Sequence, residues 1–379
     1  MRATLAILSL PLLSLAACGG GGAGTQSLGS IAPPISGGTV AGGGVVAVTP
    51  TPTPTSTPTS FLDVKTTTTF DAIGGLHAID VDDKGRSLYT GNASTVGTPS
   101  GTISFNPRDG IFTVALADTA ANVTRSVTYQ DPAHRTAGGM LQAEIPEFPF
   151  YNYLEASSDD DLSDTFFYKR PGNTASYVTL AGFAHRSKLD TTTGAFHSEH
   201  GVMVFGSKST LLQVPSTGSG RFDGDFLATM VAGASGPAGM PLQWISGTSS
   251  VDVDFSKSSL TLGLTGTVGK TYVNDTPVND FFTDIPTGSV FTANGTASLT
   301  GSRTSFAGKF LSAYFTSGAT RTNIDFAPIS AASSVAGASS IDGAFYGPNA
   351  ENVGGNFRIT GGVPDQRIDI LGAFTGAKK

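Results

Sequence analysis

The chain has 379 residues, a formal net charge of −7 and a single cysteine, and only 13% of its residues are charged. This negative charge disfavours nucleic acids and anionic lipid surfaces as partners, because both repel an acidic protein. One cysteine cannot form a disulfide within the chain, so its presence needs another explanation.

The first residues have the pattern of a secretion signal. Arg2 precedes an apolar run from Leu5 to Leu15, which is too short to remain as a membrane-spanning helix. The run ends in Leu15-Ala16-Ala17-Cys18, which resembles a bacterial lipobox, and this resemblance implies that Cys18 is acylated and becomes the first mature residue. We therefore predict a lipoprotein signal peptide at 1–17 and a lipid anchor, such as palmitate, on Cys18; the alternative is an ordinary signal peptide followed by a free cysteine.

Residues 18–60 contain almost no side chain large enough to form a core. The segment opens with CGGGGAG and closes with TPTPTPTSTPTS, which is a composition typical of disordered linkers. We predict a Gly/Pro/Thr-rich disordered linker that holds the folded part away from the membrane. The remaining residues are too many for one ordinary core, so we predict two domains, at 61–217 and 218–379.

Three polar segments of the first domain could in principle bind a metal ion. DVDDKG (80–85) imitates the start of a calcium loop, but Lys84 occupies a ligand position, which favours a plain hairpin turn. SSDDDLSD (157–164) is an acidic run typical of a solvated loop. In FHSEHG (196–201) a strand would place His197 and Glu199 on one face and His200 on the other, which disfavours ligation by the two histidines. We predict no metal and no cofactor.

The segment IPEFPFYNYLE (145–155) is the richest aromatic patch of the chain. Its two prolines disfavour a central strand, and aromatic rings in irregular loops are preferred anchors at interfaces. We predict ligand contacts at Phe148, Phe150, Tyr151 and Tyr153; the alternative is that these rings fold back onto the core of the first domain.

The second domain has short segments with alternating apolar residues, which predict strands rather than helices. Val251, Val253 and Phe255 alternate with Asp252 and Asp254, and Leu260, Leu262 and Leu264 repeat the pattern, so the two runs predict a hairpin. Nine such segments lie between Gly218 and Lys379. They indicate an antiparallel barrel of about eight strands.

The stretch IDGAFYGPNAENVGGNFRITG (341–361) predicts two strands joined by a helical turn. Phe345 and Tyr346 end the first strand, and Gly347-Pro348 suits the cap and first position of the turn. We expect Gly354 and Gly355 to adopt positive φ, so that the chain can enter the next strand.

These residues also carry a family resemblance. The motif is similar to the signature of the C-terminal barrel of transferrin-binding protein B and its relatives, and it comprises Gly343, Phe345, Tyr346, Gly347, Pro348, Glu351, Gly354 and Gly355. The resemblance covers mainly the second domain. It implies an all-β protein in which an N-terminal handle-like β domain precedes a C-terminal eight-stranded antiparallel β-barrel. It also implies a surface lipoprotein of the outer membrane.

Three functions are compatible with these features. The resemblance implies a non-enzymatic protein that captures a carrier protein or small solute, with iron or haem as cargo, for a TonB-dependent outer-membrane transporter. A second hypothesis is a structural or adhesive outer-membrane lipoprotein without a transported ligand. A third, a lipid-anchored hydrolase, is disfavoured because the sequence contains no G-x-S-x-G, H-E-x-x-H, S-x-x-K or phosphate-loop motif.

Overall fold

The computed structural model describes a defined part of the chain. These residues are 60, 63–94, 101–118, 123–136, 145–146, 148, 150–158, 162–170, 176–190, 192–232, 241–273, 276–279, 285–326, 339–363 and 366–379. The predicted signal peptide, Cys18 and nearly all of the predicted linker lie outside them. Among the described residues, no helix has the length and apolar character needed to cross a bilayer.

The first nine strands form one antiparallel sheet, which we call the N-terminal sheet. Its strands are β1 (Thr68–Val81), β2 (Ser87–Ser94), β3 (Gly101–Asn106), β4 (Ile111–Asp118), β5 (Val123–Gln130), β6 (Tyr151–Ser158), β7 (Leu162–Lys169), β8 (Val178–Lys188) and β9 (Phe196–Gly206). The strand order is β5-β4-β3-β1-β9-β8-β7-β6, and β2 pairs with β1 beside β3. Backbone bonds from Thr136 N to Tyr153 O and from Glu155 N to His134 O join the segment after β5 to β6, so the sheet is itself barrel-like.

The other ten strands form the barrel. They are β10 (Ser219–Ala232), β11 (Leu242–Asp254), β12 (Ser259–Val273), β13 (Thr276–Val278), β14 (Val290–Leu299), β15 (Ser305–Ser317), β16 (Thr320–Asn323), β17 (Ser339–Tyr346), β18 (Asn352–Val363) and β19 (Gln366–Lys378). Eight of them pair in a closed ring, in the order β10-β11-β12-β14-β15-β17-β18-β19 and back to β10. The short strands β13 and β16 pair outside this ring. The prediction of an all-β fold with an eight-stranded antiparallel barrel is confirmed.

The alternation of the predicted hairpin gives the barrel an inside and an outside. Val251 faces Leu262 and Val253 faces Leu260 across β11 and β12, and all four side chains are buried. Ten phenylalanines fill the interior together with aliphatic side chains: Phe222, Phe226, Phe255, Phe291, Phe306, Phe310, Phe315, Phe345, Phe357 and Phe374. Neighbouring ring centroids lie 5.4 Å apart for Phe291 and Phe315 and 5.6 Å apart for Phe255 and Phe345. The barrel interior is therefore a packed core.

The two sheets share a second apolar layer. Val202 and Val204 of β9 and Leu180 of β8 pack in one cluster with Leu227 and Trp244 of the barrel. Strands β7, β8 and β9 are consequently buried on both faces over most of their length, whereas β12 alternates between buried and exposed residues. Both sheets belong to one compact unit of the chain. The domain limits 61–217 and 218–379 stay predictions.

The turn after β17 forms as predicted, but Gly354 and Gly355 do not have the expected conformation. Gly347 has φ of 77° and Pro348 begins a short 3-10 helix (Pro348–Ala350), within which Asn349 has φ of 57°. The expected positive φ at Gly354 and Gly355 is wrong, because both glycines already lie in β18 and pair with β17. A Cβ on Gly355 would lie 2.7 Å from the Cα of Gly343, so glycine is needed there for close approach of two strands.

Candidate binding surface and polar network

The aromatic segment 145–155 divides into one exposed ring and three supported ones. Phe150 is 70% exposed, whereas Tyr153 is only 5% exposed. The Tyr153 hydroxyl donates to Pro146 O at 2.7 Å and accepts from Phe148 N at 2.7 Å. The Tyr151 ring lies 5.3 Å from that of Phe148 and 5.7 Å from that of Phe167, and both Tyr151 and Phe148 pack against the layer between the sheets.

Of the four rings proposed as ligand contacts, Phe150 alone is open to a large partner. The prediction of an irregular loop is wrong for Tyr151 and Tyr153, which are the first and third residues of β6. This strand ends the strand order of the N-terminal sheet, so the prolines did correctly disfavour a central strand. The sequence pattern did not distinguish the four rings, because the burial of Tyr153 depends on the neighbouring strand β7. The exposed ring of Phe150 therefore lies next to three aromatic side chains that are held in place by packing and hydrogen bonds.

Two basic residues, Lys169 and Arg170, lie beside this aromatic segment. Arg170 N donates to Phe150 O at 3.1 Å, and Arg170 Nε donates to Asn152 Oδ1 at 2.6 Å. The adjacent Lys169 forms an ion pair with Asp225 of the barrel. An exposed aromatic residue that is bonded through its backbone to an arginine has the composition of a protein-binding hot spot, in which aromatic residues and arginine are enriched.

The segment 196–201 forms part of a polar network across the N-terminal sheet. His197 and Glu199 lie on the same face of β9, as expected for a strand, with 3.3 Å between Nε2 and Oε1. The Nδ1 atom of His197 lies 2.6 Å from Asp80 Oδ1, and Glu199 forms a 2.6 Å ion pair with Arg125. His200 is fully buried and pairs in register with His77 of β1.

A second pair of the same kind lies close by. His185 Nδ1 is 2.8 Å from Asp164 Oδ1, and the ring centroids of His185 and His197 are 6.5 Å apart. Asp164 was singled out in the sequence as part of an acidic run, of which Asp159, Asp160 and Asp161 lie outside the described residues. Within the part of the chain that the structure describes, no cluster of histidine and carboxylate side chains has the geometry of a metal site.

The network sets the charge of its members. The hydrogen bond to Glu199 and the carboxylate of Asp80 raise the pKa of His197 to about 8, although burial works in the opposite direction. Burial also acts to raise the pKa of Glu199, but His197 and Arg125 outweigh it and hold that pKa below its ordinary value. Sequence reasoning missed the network because its partners are far apart along the chain, 117 residues in the case of Asp80 and His197.

The raised pKa of His197 makes stability depend on pH. The stabilising contribution of the protonated ring is fully present below the ordinary pKa of 6.5 and is lost as the pH rises through about 8. We expect the free energy of unfolding to fall by about 2 kcal/mol between pH 6 and pH 9 because of this group. Urea unfolding of the parent and of His197→Gln at both pH values measures the effect. An equal decline in the two proteins would contradict it.

The segment 80–85 covers the last two residues of β1 and the turn that leads to β2. Asp82 accepts hydrogen bonds from Lys84 N at 2.9 Å and Arg86 N at 2.8 Å, and its carboxylate also pairs with the Arg86 guanidinium. These bonds hold the pKa of Asp82 below its ordinary value. The carboxylate is thus committed to the hairpin turn, in agreement with the turn interpretation of this segment.

The Phe-Tyr-Gly-Pro motif lies where the barrel meets the N-terminal sheet. Phe345 points into the barrel core, whereas the next residue, Tyr346, is buried in the layer between the sheets. Ser209 N donates to Phe345 O at 2.8 Å, and Gly347 N donates to Ser207 O at 3.0 Å. The two adjacent aromatics therefore serve two cores on opposite faces of β17, and the turn after them is fastened to the segment that connects the sheets.

Comparison with known proteins supports the barrel assignment. Residues 214–379 match the family model described as the C-lobe and N-lobe beta barrels of Tf-binding protein B. These residues thus have a transferrin-binding protein B-like fold, as the motif predicted. No curated protein matches the chain.

Several solved structures resemble the chain at low identity. A double mutant of Transferrin Binding Protein B from Haemophilus parasuis Hp5 is 12% identical, with 81% of this chain and 59% of that chain covered and a TM-score of 0.34. A mutant of Transferrin Binding Protein B from Actinobacillus pleuropneumoniae H49 is 11% identical, with 81% of this chain and 100% of that chain covered and a TM-score of 0.26. The isotype 1 Transferrin binding protein B from serogroup B Neisseria meningitidis is 12% identical, with 82% of this chain and 77% of that chain covered and a TM-score of 0.25. The chain thus spans 59% of the Haemophilus parasuis protein that it matches.

Proposed function

We propose that this chain is a non-enzymatic, lipid-anchored binding protein of the bacterial outer membrane that captures a carrier protein or small solute at the cell surface. Iron or haem is the proposed cargo, and a TonB-dependent transporter is the proposed recipient. The relatives of its barrel are named for binding transferrin, and that naming supports a carrier protein as the kind of ligand.

The filled barrel is the observation that carries this proposal. A barrel of eight strands can enclose a small ligand only if its interior is left open. Here ten phenylalanine rings occupy the interior, so a ligand has to bind on an outer surface. Outer surfaces suit large partners, because a large interface can gain affinity from a few exposed anchors without an enclosed pocket.

Phe150 is the anchor that we propose for this interface. Once a ligand has been captured on the mature chain from growth medium or from outer-membrane extract, calorimetry compares the parent with Phe150→Ala. Loss of a central aromatic anchor costs about 2 kcal/mol, which is roughly a thirtyfold loss of affinity. Leu88→Ala is the matched control, since Leu88 is 66% exposed on β2.

Two outcomes would count against this assignment. Equal affinity of parent and Phe150→Ala, with both proteins melting alike, would place recognition elsewhere on the surface. Failure to retain any saturable ligand from either source would favour a structural or adhesive lipoprotein instead.

The lipid anchor is a separate part of the proposal. The lipobox-like sequence that ends at Cys18 supports it, and several buried acyl chains make membrane attachment practically irreversible, since each buried CH₂ adds about 0.8 kcal/mol. We expect Cys18→Ser to shift the protein from the outer-membrane fraction to the soluble fraction after a high-salt wash. Retention of the variant with the membranes would rule out this anchor.

A further inference from the structure

A groove runs along the wall of the barrel and is centred on strands β12 and β14. A cavity of about 960 Å³ is lined by the adjoining ends of β10, β11, β12, β14, β15 and β19, and it shares Arg221 with a second cavity of about 450 Å³. Thr261 and Thr296 in its lining are exposed, whereas their neighbours Leu262 and Ala297 are buried in the barrel. We call this feature the wall groove; it lies on the outer face.

The strand register places the side chains of the wall groove in rows. Arg221 pairs with Asp252, Asp252 with Thr261, Thr261 with Thr296, and Thr296 with Lys309, so five neighbouring strands present one continuous row. Strands lie about 4.8 Å apart, which makes the row about 20 Å long. Such a length suits an extended ligand better than a compact one.

The central strands of the wall groove carry hydroxyl and amide groups without charge. Their outward residues are Ser259, Thr261, Gly263, Thr265 and Thr267 on β12 and Thr292, Asn294, Thr296 and Ser298 on β14, with the apolar Val290 opposite Thr267. Among the described residues, the hydroxyls of Thr261 and Thr296 have no hydrogen-bond partner in the protein. Gly263 lies between Ser250 and Asn294, and because it has no side chain it leaves open space at the bottom of the groove. A Cβ there would lie 2.9 Å from Ser250 Oγ and 3.8 Å from Asn294 Oδ1.

A hydroxyl both donates and accepts hydrogen bonds, and so does an amide group through its two ends. A row of such groups matches a ligand whose own groups also do both, which describes a chain of sugar residues. A simple anion would need donors alone, and an apolar ligand would leave these polar groups without hydrogen bonds. The floor of the wall groove therefore fits a polyhydroxyl chain.

Basic groups at the rim add a preference for acidic ligands. Arg221, Lys309, Lys378 and Lys379 line the main cavity, against the two carboxylates of Asp252 and Asp254. Asp254 pairs with Lys257 at 2.8 Å, Arg221 pairs with Asp223 at 3.1 Å and Asp252 at 3.7 Å, and Lys379 pairs with Asp223 at 3.5 Å. Among the described residues, Lys309 and Lys378 have no carboxylate partner, so they leave an excess of positive charge at the rim. This local excess of positive charge contrasts with the net charge of −7 of the whole chain. A carboxylate on the ligand would gain charge-assisted hydrogen bonds at this rim.

We propose that the wall groove binds an acidic glycan, that is, a chain of sugar residues that carries carboxylate groups. The hydroxyls of Thr261 and Thr296 bond the sugar hydroxyls, and Lys309 pairs with a carboxylate. The inference does not rest on the proposed capture function, since Phe150 lies on the N-terminal sheet and the groove is centred on β12 and β14. A glycan at this site would let the protein bind a polysaccharide surface independently of its carrier ligand.

Calorimetry of the mature chain with defined oligosaccharides tests the proposal. We expect one saturable site for tetragalacturonate, which is carboxylated, and at least tenfold weaker binding of maltotetraose, which is neutral. Lys309→Ala is expected to weaken tetragalacturonate binding about tenfold, because it removes a charge-assisted hydrogen bond. The double variant Thr261→Val with Thr296→Val should weaken both sugars, since valine keeps the shape of threonine without its hydroxyl.

Substitutions of exposed lysine and threonine residues outside the wall groove serve as matched controls. Lys65→Ala, and Thr67→Val combined with Thr69→Val, alter exposed residues of the same types on the N-terminal side, and we expect them to bind like the parent. No saturable binding of tetragalacturonate would overturn the proposal. Binding that survives both sets of groove substitutions, or equal affinity for the two sugars, would overturn it as well.

Discussion

Replacing Gly355 with valine is expected to lower the free energy of unfolding by about 3 kcal/mol or more. Gly355 faces Gly343 across β17 and β18, and a Cβ at position 355 would lie 2.7 Å from the Gly343 Cα and 3.0 Å from the Asp342 carbonyl carbon. Both contacts are with backbone, which cannot rotate away as a side chain can, so the two strands have to separate. Denaturant unfolding of the mature chain measures the change.

The matched substitution for this experiment is Thr265→Val. Thr265 lies in β12, is exposed, and already has a branched side chain, so the change should be within about 0.5 kcal/mol of the parent. Equal unfolding midpoints for Gly355→Val and Thr265→Val would show that β17 and β18 tolerate a side chain at their closest approach. Thr360, although also a strand threonine, is unsuitable because its hydroxyl bonds Asp369 at 3.2 Å.

Replacing Asp369 with alanine is expected to cost about 3 to 5 kcal/mol, which is the range for breaking one side of a buried ion pair. Asp369 is 4% exposed and accepts from Arg358 Nε at 3.3 Å and Arg358 Nη2 at 3.0 Å, and His77 Nε2 lies 4.0 Å away. Removing the carboxylate leaves the arginine charge without its counter-ion. The same unfolding measurement detects the loss.

The pH dependence of this pair provides a second observation. Burial alone raises the pKa of Asp369, but His77 and Arg358 outweigh it and hold the pKa well below its ordinary value of 3.8. The stability that the carboxylate contributes is present above that ordinary value and is lost as the pH falls through the lowered pKa. Asp83→Ala, at an exposed site, should leave stability nearly unchanged. A similar small effect for Asp369→Ala would mean that the ion pair adds little.

The barrel could be predicted from sequence where its signals are local. Alternation of apolar and polar residues in 251–264 was sufficient for the hairpin of β11 and β12, because period-two patterns report directly on the two faces of a strand. Gly347-Pro348 likewise predicted the helical turn from backbone preferences alone. In both cases the determining interactions lie within about fifteen residues.

Features that depend on distant strands could not be predicted in the same way. Gly355 looked like a turn residue, since nothing in its neighbourhood shows that Gly343 approaches it across the sheet. The rings of Phe150 and Tyr153 have the same chemical character in the sequence, yet the pairing of β6 with β7 buries one and not the other. The continuous row of side chains in the wall groove likewise depends on the register of five strands.

The pairing that closes the barrel also has a consequence for the order of folding. Strand β10 pairs with β19, and across this seam Thr229 Oγ1 bonds Leu371 O over a separation of 142 residues. Contacts between such distant residues pay a large loop-closure entropy and form slowly. Until β19 is in place, β10 and β18 present open edges, and the phenylalanine core between them is accessible to other chains. The pairing of β10 with β19 is therefore the step that removes the open edges and covers the core of a nascent molecule. Chaperones that shield exposed strands are needed most before this pairing forms.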